Sequence, residues 1–230
     1  MTDETATPEP EATPEETSES TAAPAMAKAV IIGRKVGMLQ HFRPDGSVVG
    51  ATVIATEGNL VTRVATKERD GYTAVQIGFG AVAEKKMSKG ERGHLGDLPP
   101  LKHLREVRVD DVTGFAAGQT LGVESFAVGD KVNVTGISKG KGFQGPVHLH
   151  HFTRGPKSHG SDHLRRQGSV GAGTTPGRVL KGLRMASHQG VDRVTVKNLV
   201  VLRADGERSL LILSGAVPGP RNGVVMVKKA

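Results

Sequence analysis

The chain has 230 residues, with 31 Lys and Arg against 23 Asp and Glu, nine His, seven aromatic residues and no Cys. Without cysteine there is no disulfide, thiolate nucleophile or Cys-type zinc site, and no apolar run approaches the roughly 20 residues of a membrane span. Residues 1–26 hold seven acids and no Lys or Arg, so residues 27–230 set 31 bases against 16 acids, a net charge of +15. A balance of that size steers polyanions and makes their binding sensitive to salt.

In chain order, residues 1–26 come first. They are Thr, Glu, Pro, Ala and Ser almost throughout, a composition that stays solvated. A shielding polyanion for the basic surface and a solubilising tail are both readings of it, and Met26 is a candidate alternative start. Their acidity is opposite to a transit peptide, and they lack the charged and apolar regions of a signal peptide.

Short Val- and Ile-rich segments follow at 29–36, 48–56, 60–66, 74–77, 106–109, 131–135, 194–201, 210–213 and 224–227, each predicted as a strand. Between them stand turn dipeptides such as Asp45-Gly46, Asp70-Gly71, Asp205-Gly206 and Asn222-Gly223. The fold class is mainly β, a barrel or sandwich over residues 27–230. Val194 and Val196 alternate with polar partners, but Leu199-Val200-Val201 breaks the phase after Asn198, which predicts a bulge or burial on both faces. Residues 81–105 read as a small mixed insertion, with a short helix near 82–89 and Pro99-Pro100 ending any regular element.

Residues 136–190 differ from everything around them. They carry 12 glycines, nine Lys and Arg, six histidines and a single carboxylate, Asp162. Their large apolar residues are few and aperiodic, so burial cannot offset an ordering cost of roughly 1–2 kcal/mol per residue. The stretch leaves one predicted strand and returns to another, which makes it an extended arm inserted in the β domain. Connections of such length are functional or disordered, and at ~3.3 Å per residue it reaches at most about 90 Å out and back. Its missing contacts must come from outside the chain. The phosphate backbone of a nucleic acid accepts hydrogen bonds from Arg, Lys and main-chain N–H groups alike. The candidate contacts in the arm are Lys139, Lys141, Arg154, Lys157, Arg165, Arg166, Arg178, Lys181 and Arg184.

Several catalytic and cofactor patterns are approached here without being met. Residues 140–147, GKGFQGPV, match G-x-G-x-x-G, but Pro146, Gly155 and Pro156 leave no helix to aim at a pyrophosphate. The companion kinase motifs are missing. Lys141-Gly142-Phe143 begins like an RNA-recognition signature that Gln144 then breaks, and seven aromatics are too few for a base-stacking platform. Recognition then rests on phosphates, 2′-hydroxyls and shape. His148, His150, His151, His159 and His163 have only Asp162 as a nearby carboxylate, among cations that oppose a metal. Hydrogen bonding to phosphate or ribose suits them better, His159 included. Ser169 lacks the first glycine of a nucleophile elbow, since Gln167 stands there, and has no marked base. Neither catalysis, a metal nor a cofactor is expected.

The blocks GRKVGM (33–38), VTGISKGKGFQG (134–145), SHG (158–160), GSVG (168–171), TPGRVLKGLRMA (175–186), VTVKNL (194–199) and SGAVPGP (214–220) occur in this order. In them the chain, from about residue 28 to 229, resembles the bacterial form of large-subunit ribosomal protein three. The resemblance implies a translation-factor-like β-barrel and early binding to large-subunit ribosomal RNA. It also implies an extension whose tip approaches the peptidyl-transferase region, and a protein that organises RNA without performing the chemistry. Arg34 and Lys35 of the first block join the candidate RNA contacts. Expected partners are ribosomal RNA and neighbouring large-subunit proteins, with no membrane and no small-molecule substrate, in the cytoplasmic ribosome. A free RNA chaperone or assembly factor is the alternative. Two features depart from the pattern: the acidic tail, and Ala172-Gly173-Thr174 where many relatives carry Gln-Asn-Gln. Thr174 stands where some relatives have an N-methylated glutamine, so that modification does not carry over.

Overall fold

The computed structural model describes residues 29–230, and the acidic tail at 1–26 lies outside the described residues. The strands are β1 (Val30–Phe42), β2 (Val48–Ala55), β3 (Asn59–Ala65), β4 (Ala74–Ala81), β5 (Leu101–Arg108), β6 (Thr120–Leu121), β7 (Lys131–Ile137), β8 (Gly142–Gln144), β9 (Ser187–Gln189), β10 (Arg193–Asp205), β11 (Leu210–Ser214) and β12 (Val224–Lys229). Short helices α1 (Lys67–Asp70), α2 (Lys89–Leu95) and α3 (Pro146–Leu149) lie between them.

Six strands close into an antiparallel barrel in the order β1-β12-β7-β10-β11-β2. Period-two alternation produces its core. Val132 and Val134 of β7, Leu211 and Leu213 of β11, and Val225 and Val227 of β12 point inward and are buried. In register with them lie Ile31 and Ile54, so that aliphatic side chains alone fill most of the interior. Gly33 sits in this ring because a Cβ there would collide with the Ile54 side chain and lie 2.9 Å from the Ala55 carbonyl oxygen.

The strands expected at 60–66 and 74–77 join a separate sheet of order β5-β4-β3-β6. Its central strand β4 is buried from Ala74 to Phe79, and its core is continuous with that of the barrel. The helix expected near 82–89 begins later. Only a 3-10 turn forms at Glu84–Lys86, and α2 starts after Ser88, whose hydroxyl accepts the Glu91 N–H while Glu91 returns a bond to the Ser88 N–H. That capping box fixes the start of the helix. The phase break after Asn198 is a register shift against β7 between Val196 and Leu199, with Asn198 at φ 57°. A second shift, between Lys35 and Gly37, lets β1 run on from the barrel into an outer hairpin with β2. On this hairpin Met38, Phe42 and Val48 are exposed.

Candidate nucleic-acid interface

The arm leaves the barrel at the end of β7 and re-enters at the start of β10, and its base is a built structure. Ser138 N–H donates to the Asp192 carbonyl at 2.9 Å and Lys141 N–H to the Gln189 carbonyl at 2.8 Å. Beyond them β8 and β9 pair antiparallel, Phe143 opposite His188, with the two rings edge to face at 5.6 Å. This ribbon was not legible in the sequence, since each strand is three residues long and has no alternation.

Past the ribbon comes the single turn of α3; beyond it the backbone is irregular, and the outgoing and returning legs are joined by side chains. His150 Nε2 donates to the Met185 carbonyl at 3.0 Å, His148 Nδ1 to Gln189 Oε1 at 3.3 Å, and Gln167 Nε2 to the Arg184 carbonyl at 2.8 Å. Two histidines of the cluster thus stitch the arm instead of converging on one point. Among the described residues, no group of three or more His, Asp or Glu could hold a metal ion.

Lys139, Lys141, Arg154, Lys157, His159, Arg165, Arg166, Arg178, Lys181 and Arg184 are all exposed. Ion pairs among the described residues join Arg63 to Asp70, Arg203 to Asp205 and Lys229 to Asp130, and none involves an arm cation. Phe143, Leu164, Leu180 and Leu183 are exposed as well, so the arm presents apolar and cationic groups together without packing either against the barrel. Positive charge along a backbone rich in accessible N–H groups suits phosphate.

Arg34 and Lys35 sit at the barrel end of this surface, and the structure separates them. Arg34 is exposed, near His103. Lys35 is half-buried, and its Nζ donates to the carbonyls of Val217 at 2.8 Å and Gly219 at 3.5 Å. Burial and the nearby Lys139 ammonium hold its pKa below the ordinary 10.5. Lys35 therefore pins the 214–220 loop. That loop in turn supports the arm's root, because a Cβ on Gly219 would lie 2.8 Å from the Ile137 carbonyl and one on Gly136 would lie 3.2 Å from Pro218.

Beside the root, between the edge strand β5 and the β1, β12 and β7 face of the barrel, opens a cleft of about 1020 Å³. His103 and Arg105 line it from β5, Lys139 from the arm and Arg193 from β10, and no carboxylate lines it. Desolvation first, then the cations Lys102, Arg105 and Arg34, push the His103 pKa below its ordinary 6.5. The sequence reading missed His103, Arg105 and Arg193. Their only local signal is the alternation that puts His103 and Arg105 on one face of a strand.

The family model described as "Ribosomal protein L3" matches residues 105–209, from the cleft strand β5 through the arm to β10. The large ribosomal subunit protein uL3 of Alkaliphilus metalliredigens is 48% identical over 200 residues, covering 86% of this chain and 95% of the relative. The chain belongs to the ribosomal protein L3 family. Similar uL3 proteins come from Synechococcus sp. strain JA-3-3Ab, at 48% over 203 residues, and Herpetosiphon aurantiacus, at 46% over 202 residues; each alignment covers 87% of this chain and 95% of the relative. The ribosomal L3 family consists of structural ribosomal proteins, not enzymes. The near-miss to a nucleotide-binding loop at 140–147 is accounted for on this basis: Lys141 to Gln144 form the base of the arm's ribbon.

Proposed function

We propose that this L3-family chain binds large-subunit ribosomal RNA early in assembly. Its barrel rests on the RNA surface, and residues 136–190 extend between RNA helices toward the peptidyl-transferase region. The observation that carries this reading is the arm itself, a cationic segment with every Lys and Arg exposed and without an intramolecular ion partner among the described residues, anchored at its base by the paired ribbon. The arm works by neutralising charge and filling space, so that phosphate-dense helices pack around it. The exposed apolar hairpin at Met38, Phe42 and Val48 offers a surface to neighbouring large-subunit proteins.

The test is replacement of Arg165, Arg166 and Arg184 together by Ala. Large-subunit assembly should fall in sucrose-gradient profiles while the purified protein keeps its β-type circular dichroism and thermal transition. Normal subunit profiles would overturn the arm's role. The wild-type chain should also cosediment with large subunits through a high-salt wash, whereas a transient RNA chaperone would be released.

A further inference from the structure

The cleft at the arm's root differs in kind from the open arm. Its floor is formed by Met226 and Thr135, in register across β12 and β7, with the exposed Ile137 beside them and the buried Ile32 beneath. Above that floor stand Arg105, Lys139 and Arg193. A volume of about 1020 Å³ holds a group of nucleotide size with room to spare. A duplex does not fit a volume of that size, whereas a nucleotide turned out of its helix does.

We propose, resting on the RNA-binding reading above, that this cleft receives one unpaired nucleotide of the bound RNA, its base against Ile137 and Met226 and its flanking phosphates on Arg105, Lys139 and Arg193. The lining matches the two halves of such a ligand. Aliphatic groups cover the faces of a base irrespective of its identity, while three cations with no lining carboxylate match the phosphates on either side. His103, its pKa pushed below the ordinary 6.5 by desolvation and the neighbouring cations, offers a ring nitrogen to a base edge. A purely acidic segment such as polyglutamate would satisfy the cations but leave the apolar floor unused.

The experiment uses the full chain and two RNA probes, a blunt duplex and the same duplex carrying one bulged 4-thiouridine. The bulged RNA should bind about tenfold more tightly, the size expected for covering one apolar side chain. Irradiation should crosslink the thiouridine to peptides containing residues 137–140 or 220–226. Ile137→Ser, at a residue 48% exposed, should collapse the ratio of the two affinities to one. Arg105→Ala with Arg193→Ala should weaken the bulged probe more than the blunt one. Equal affinity for both probes, or crosslinks confined to residues 150–186, would sink the cleft proposal while leaving RNA binding by the arm intact. If neither RNA binds, the underlying reading falls as well. Protection of residues 137–140 by a polyglutamate peptide, without protection by the bulged RNA, would overturn the nucleotide in favour of an acidic protein partner.

Discussion

Asn59 completes the hydrogen bonding of Ile32 from outside the barrel. Its Oδ1 accepts the Ile32 N–H at 2.9 Å, and its Nδ2 donates to the Ile32 carbonyl at 2.7 Å and to the Thr56 carbonyl, also at 2.7 Å. A side-chain amide thus stands in for a neighbouring strand on β1, at the point where the barrel and the second sheet share a core. Asn59 is 1% exposed, so water cannot replace it. Asn59→Ala leaves buried N–H and C=O groups unpaired and should cost about 2–4 kcal/mol. Urea denaturation checks this; a midpoint equal to wild type would show that the backbone finds other partners.

The proposed role of the arm cations, acting in parallel on phosphates, predicts that their removal shows in the salt dependence of RNA binding. Replacing Lys139, Lys141, Arg178 and Lys181 by Ala should flatten the slope of log affinity against log salt by about 0.7–0.9 for each phosphate left without its cation. Filter binding of large-subunit RNA over a salt series measures it. An unchanged slope would mean that these side chains face solvent in the complex.

Asp130 ties the C-terminal strand to the loop before β7. Lys229 Nζ lies 2.8 Å from its carboxylate, which also accepts the Ala127 N–H at 3.0 Å. The Lys229 hydrogen bond first, then that of Ala127, hold its pKa below the ordinary 3.8. A depressed carboxylate pKa contributes stability that is fully present above 3.8 and is lost as pH falls through the lower folded value. The stability gap between wild type and Asp130→Asn should therefore be constant near neutrality and close only in that acid window. A gap that closed at higher pH would contradict the linkage.

A shielding role for the seven acids of residues 1–26 predicts that they compete with RNA for the same cations. Deleting residues 2–25 should speed RNA association at low salt in stopped-flow measurements. The difference should vanish near 1 M salt, where screening acts over ~3 Å. Equal rates at low salt would assign the tail no shielding role.

Much of this protein was legible in local pattern. Val and Ile at period two, bounded by turn dipeptides, marked the barrel strands, because a half-buried pleated surface imposes that alternation. The break at Asn198 showed as a phase error because a bulge shifts every later side chain to the other face. Residues 136–190 stood apart because glycine and charge without apolar periodicity cannot form a core. The motif blocks identified the family for the same reason: each is a run of neighbours in the chain.

Other features were settled only when distant segments met. The barrel closes by pairing its first and last strands, Val30 opposite Lys228, and nothing local to either strand names its partner. Lys35 read as an RNA contact, and the structure adds that its Nζ bonds to the carbonyls of Val217 and Gly219, which the pairing of β1 with β12 brings near it. The cleft gathers His103, Lys139, Arg193 and Met226 from four separate stretches of chain. Residue type and spacing decide which strands and turns form, because those depend on neighbours. Long-range strand pairing and shared burial decide which side chains face one another, because those depend on the closed shape of the whole chain.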